Sequence, residues 1–83
     1  MKFVARFKHS RTQEDVSYHS AELGEPTIFP QAVDKLYFVV SRLSLTRIGP
    51  TLRGEVMRAE EAEEELGRLR MSADWVEVDE DGH

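Results

Sequence analysis

The chain has no cysteine. That excludes a disulfide framework, thiolate catalysis and cysteine-based zinc sites. A reducing, cytoplasmic compartment is the simplest fit. No stretch approaches the roughly 18 apolar residues of a membrane span, and no charged-then-apolar leader opens the chain, so neither an anchor nor a signal peptide is expected. The longest apolar run is Leu36 to Val40. The five glycines are scattered and form no phosphate-binding loop. No two histidines stand at i,i+4, so the usual helical zinc signal is missing. His9 and His19 could face each other across a hairpin, but two histidines without a fixed third ligand are a weak signal. No metal and no cofactor are expected. Ser10, Ser17, Ser20 and His19 lie close in sequence, yet no strained turn presents a nucleophile.

What is present is a charged, foldable chain. Its 83 residues are enough for one domain with a modest core. Hydrophobic residues make up 40% and charged residues 33%, a balance that suits a folded domain rather than a disordered one. The net charge of −5 is unevenly spread. Residues 1–53 hold eight Lys/Arg against five Asp/Glu, and residues 54–83 hold three against eleven. The asymmetry gives an electrostatic face if the halves stay apart in space, and a mixed surface if they interleave.

The most legible stretch is Arg58 to Asp79. At 100° per residue, Ala59, Ala62, Leu66 and Leu69 share one side of a helix, and Val56 can extend the stripe. Glu60, Glu61, Glu64, Glu65 and Arg68 fall mostly on the other side. Ala, Glu, Leu and Arg are good helix formers, and acids come early while Arg68 and Arg70 come late, as the helix dipole prefers. Glu63 falls inside the apolar arc and must reach past its neighbours to solvent. Trp75 to Asp79 then reads as a short strand, with Val76 and Val78 facing the core and Trp75 on a half-covered or exposed face. Residues 1–79 are read as the domain and 80–83 as a disordered acidic tail.

Upstream, Phe3, Ala5 and Phe7 alternate with charged residues, apart from Val4, and predict a strand over 1–9. A second strand is expected over Val16 to Leu23, with Val16 and Tyr18 on one face. Val33, Leu36, Tyr37, Val40 and Leu43 fit a helix template over about 30–43, with Pro30 in its first turn. The run Tyr37-Phe38-Val39-Val40 competes as a strand. Gly49-Pro50 marks a turn, after which Leu52 to Val56 is either a short strand or the approach to the helix. The expected fold is α+β: an antiparallel sheet of three to five strands with one or two helices packed on one face. The expected core is Phe3, Ala5, Phe7, Val16, Val33, Leu36, Tyr37, Val40, Leu43, Leu45, Leu66, Leu69, Val76 and Val78.

For function, no catalytic constellation stands out, and no enzyme is expected. Solvated glutamates cannot shift their affinity for protons enough for acid–base work. Arg42, Arg47, Arg53 and Arg58 could line up against a nucleic acid, but the net negative charge weighs against direct nucleic-acid binding. A row of carboxylates on a helix can instead imitate a phosphate backbone. The sequence therefore points to a small non-enzymatic binding protein that regulates or inhibits a larger partner with a basic surface. Small size and the lack of a catalytic motif suit an inhibitor of the phage or mobile-element type. The candidate contact residues are Glu60, Glu61, Glu64, Glu65 and Trp75. The alternative is a homo-oligomeric structural or assembly protein, a homodimer in its simplest form, in which Trp75, Met57 or Phe38 is covered by a second subunit.

Overall fold

The computed structural model describes residues 1–22 and 36–83. Five strands and one helix follow each other as β1 (Lys2–His9), β2 (Asp15–Glu22), β3 (Leu36–Thr46), β4 (Gly49–Arg58), α1 (Ala59–Met71) and β5 (Trp75–Val78). The strands form one sheet in the order β4-β3-β2-β1-β5, and every neighbouring pair is antiparallel. Four strands thus form a meander, and α1 then carries the chain from β4 at one edge to β5 beside β1 at the other. This is the expected α+β class, with the helix on one face.

Buried Ala62 and Leu66 of α1 pack on Ala5, Phe7, Val16, Tyr18, Phe38 and Val40 of the sheet. That one-sided core follows from alternation: every second residue of a strand points to the same face. Phe7 and Tyr18 meet edge to face at 6.2 Å. The outer face of α1 carries exposed Glu60, Glu61, Glu63 and Glu64. Glu63 thus reaches water, as its place at the stripe edge requires.

Several expectations are overturned. The helix predicted over 30–43 is strand β3 from Leu36 on, while residues 30–35, including Val33, lie outside the described residues. Leu36 and Val40 fit both periods, Leu43 fits only the helical one, and the β-branched and aromatic run Tyr37 to Val40 decides the outcome. The short strand expected at 52–56 belongs to a ten-residue strand that includes Gly54. A glycine is tolerable there because β4 is the edge of the sheet.

The predicted single face of Phe3, Ala5 and Phe7 is broken by a bulge. Phe3 pairs with His19 and Ala5 with Tyr18, so two residues of β1 oppose one step of β2. Val4 joins the partly buried set against the core, and Phe3 turns to the opposite face, where its ring meets His19 edge-on at 5.7 Å. The irregular Val4 in the alternation marks this bulge.

The faces of β5 are also the reverse of those expected. Trp75 packs against the core, its ring 5.0 Å from that of His9, and Val76 is half exposed. The register with β1 decides this: Trp75 pairs with His9 and Glu77 with Phe7, so both share the helix side. Tyr37, Leu43 and Leu45 fall on the face away from α1, in step with Val39, and not in the core. Phe38, Tyr18 and Ala62 are buried in the core although the expected core left them out; for Tyr18 and Ala62 the face itself was read correctly.

The β3–β4 hairpin turns at Arg47-Ile48. Neither residue has a positive φ, and Gly49 supplies it instead, at 121°. Thr46 Oγ1 donates to the Gly49 carbonyl at 2.7 Å and closes the turn. Residues 80–83, expected as a disordered tail, are placed in a turn against β1. The Asp79 carboxylate accepts from the backbone N–H of Asp81 and His83, and Arg6 donates to the Glu80 carbonyl at 3.0 Å.

Candidate functional site

β4 runs into α1 without a loop: Arg58 is extended and Ala59 is already helical. No side chain caps the helix start. What fixes α1 instead is a half-buried polar cluster between it and the sheet. Arg42 stands on β3 at the same parity as Phe38 and Val40, so it points under the helix. Its guanidinium donates to Glu65 Oε1 at 2.6 Å and to Glu55 Oε1 at 2.8 Å. The Tyr18 hydroxyl donates to the same Glu65 oxygen. Burial and the Glu65 carboxylate push the Tyr18 phenol well above its ordinary range. Arg42 is also raised: burial works against its charge, but the bonds to Glu55 and Glu65 outweigh that cost.

This cluster holds charge rather than using it. Tyr18 is fixed as a neutral donor, and both carboxylates are satisfied by one guanidinium. Its chemical effect is to anchor α1 to β2, β3 and β4 at once. Glu65, a sequence candidate for partner contact, is therefore occupied inside the molecule. Trp75, another candidate, is half-buried against His9 and the core. Glu60, Glu61 and Glu64 stay together on the outer face of the helix. Glu64 accepts from Arg68 one turn on at 3.3 Å, while among the described residues no ion pair reaches Glu60 or Glu61. Arg70 is drawn the other way, to Glu77 on β5 at 3.0 Å.

The far face of the sheet differs in character. A shallow depression of about 350 Å³ lies there, lined in part by Phe3, Arg6, Asp15, Ser17, His19 and Ser41. Arg6 is committed to Asp15, with contacts of 3.0 Å from Nε and 2.7 Å from the terminal nitrogen. Asp15 raises the Arg6 affinity for its proton. His9 and His19, a possible facing pair by sequence, are on different faces: His9 sits beside Trp75 and His19 beside Phe3. Among the described residues, no three His, Cys, Asp or Glu side chains converge as a metal site needs, and no helix is long and apolar enough to cross a membrane.

The Tyr18–Arg42–Glu55–Glu65 cluster was not foreseen from sequence. Its one signal is an arginine at a core-parity position of a strand, and that is readable only once 36–46 is taken as a strand. No protein-family model, no curated protein and no solved structure matches this chain.

Proposed function

We propose that this is a non-enzymatic binding protein that regulates or inhibits a larger partner through the outer face of α1, where Glu60, Glu61 and Glu64 meet lysines and arginines of the partner. The observation that carries the reading is the combination of exposure and rigidity. Three carboxylates lie within about 6 Å of helix rise. They stand on a helix that the Arg42 cluster ties to three strands. A helix already fixed to the sheet need not order its backbone when it is met by a partner, which favours recognition. A line of fixed negative charge also resembles a phosphate backbone to a protein that binds nucleic acid.

The test is paired affinity capture from the source cell with wild type and with Glu60→Gln/Glu61→Gln/Glu64→Gln as baits. The partner is expected among proteins retained by wild type, lost by the variant and released by salt. Its association rate with wild type should exceed that with the variant by roughly tenfold at low salt. The gap should narrow as the screening length falls to about 8 Å at physiological ionic strength and further above it. If no protein meets all three conditions, or the captured protein binds both baits at the same rate, the acidic helix is only a solvated face.

A further inference from the structure

The charge that is uneven along the sequence is also divided in space. Residues 36–58, the β3–β4 hairpin, hold four arginines and one glutamate, in a chain whose net charge is −5. Arg42 and Glu55 satisfy each other. Arg47, Arg53 and Arg58 are exposed, and among the described residues no ion pair reaches them. All three lie on β4 or at its turn, and β4 is an edge of the sheet. The form of this edge matters as much as its charge. β4 is ten residues long and pairs with β3 along its whole length without a bulge, whereas β5 at the opposite edge has four residues. Sheets close off an edge by brevity, bulges, charge or proline, and the one proline of β4 is Pro50, beside the turn. From Thr51 to Arg58, alternate residues turn their backbone N–H and C=O groups away from β3, and among the described residues no strand meets them.

We propose that the β4 edge takes an extended acidic segment of another protein as an added strand of the sheet. Side-chain parity gives the pattern of that segment. Arg53 shares the α1 face with Arg42, its pair on β3, and Arg58 shares the far face with Tyr37. The two arginines are five residues, about 17 Å, apart along the strand. Residues five apart on an added strand also point to opposite faces. Two acids at that separation therefore meet both arginines, one on each side of the sheet. Leu52 and Val56 stand on the far face to either side of Gly54, 72% and 66% exposed. Each gains a cross-strand neighbour where the segment carries an apolar residue. Glu55, already held by Arg42, disfavours a third acid opposite it. The same arginines keep two β4 edges apart, because like charges oppose the pairing of one copy with another. A single-stranded nucleic acid would use the arginines but not the unpaired backbone groups, and β4 offers no aromatic ring for bases to stack on. The surface is separate from the outer face of α1, so the inference stands whether or not that face binds a partner.

The probe is the fluorescent peptide Thr-Glu-Thr-Val-Thr-Thr-Glu-Val-Thr, written to lie antiparallel to β4, as every neighbouring pair in this sheet does. Anisotropy should show saturable binding to the full chain. The backbone amide resonances that shift should be those of β4 and of its partners on β3. Arg53→Gln/Arg58→Gln, with an unchanged circular dichroism spectrum, should bind the probe roughly tenfold more weakly. Arg53→Glu/Arg58→Glu should instead bind, at β4, a probe whose two glutamates are replaced by lysine; this reversal decides the matter if the glutamine variant folds poorly. A probe with its two adjacent threonines replaced by proline keeps both charges but cannot pair as a strand, and should not bind. The absence of saturable binding overturns the proposal. So do shifts confined to α1 or β5, a glutamine variant that binds as well as wild type, or equal binding of the proline probe. Tighter binding of oligothymidine at the same residues overturns it too, and makes the edge a nucleic-acid contact.

Discussion

Arg42 and Glu65 lie 2.6 Å apart across the boundary between sheet and helix, and the same guanidinium holds Glu55. Both carboxylates depend on that one cation. Arg42→Met keeps an unbranched stem and removes the charged head, leaving two carboxylates near each other and partly desolvated. The variant is expected to lose about 2–4 kcal/mol in urea denaturation, since removing one partner strands the others. Arg42→Lys keeps the charge but lacks the planar fork, so it should fall between Met and wild type. Equal stability of all three would mean that the cluster does not anchor the helix.

Tyr18 offers a pH test. Its phenol is raised above the ordinary value of 10 by burial first and by Glu65 second. Between that ordinary value and the higher folded one, the folded chain keeps a proton that the unfolded chain has lost. Stability therefore falls as pH rises, and the Tyr18 contribution is complete only below about pH 10. Tyr18→Phe should cost about 1–3 kcal/mol near neutrality. The difference between the two proteins should shrink as pH rises beyond 10. Absorbance should show one of the two tyrosines ionising only as the chain unfolds. A difference independent of pH would contradict the assignment.

Trp75 is a packing residue of β5 and the only tryptophan. Trp75→Ala should destabilise by about 3 kcal/mol, the low end for aromatic truncation because the ring is half-buried. Leu66→Ala, fully in the core, should cost about 2–5 kcal/mol. In contrast, the Glu60/Glu61/Glu64 glutamine variant should stay within about 0.5 kcal/mol of wild type. Thermal or urea denaturation followed by Trp75 fluorescence measures the glutamine and Leu66 variants. Circular dichroism serves for Trp75→Ala.

Two glycines of the hairpin should respond differently. A methyl group at either Gly49 or Gly54 meets no atom within 4 Å. Only Gly49 has a left-handed backbone, with φ 121°. Gly49→Ala should therefore cost about 1–3 kcal/mol in backbone strain alone. Gly54→Ala should be neutral or stabilise by up to about 1 kcal/mol through the unfolded state. Melting temperatures of the two variants separate these expectations.

Where the sequence was legible, one period dominated. Ala59, Ala62, Leu66 and Leu69 could only form a helical stripe, and Ala62 and Leu66 are indeed buried. Val16 and Tyr18 share a face as their spacing required. Legibility failed where two periods fit the same residues, as at Leu36 and Val40. It failed again where a partner strand sets the face. Nothing local to Trp75 and Val76 says which points inward; the pairing of Trp75 with His9 does. Phe3 fails for a third reason, because a bulge shifts its parity by one. Of the candidate contact residues, Glu60, Glu61 and Glu64 lie on the outer face of α1, whereas Glu65 is held by Arg42, a residue 23 positions away. Long-range pairings of this kind leave no trace in local spacing.

The placement of β5 beside β1 sets an order of events during synthesis. The meander from β1 to β4 can assemble from sequence neighbours as the chain emerges. Pairing Arg6 with Val78 cannot begin until residues 75–78 have been made. Until then one edge of β1 has no partner strand, and Phe7 and His9 lack the neighbours they have in the finished sheet. Because contacts between distant residues form slowly, and unpaired edges recruit other chains, the nascent protein is most vulnerable to aggregation just before its last strand is released.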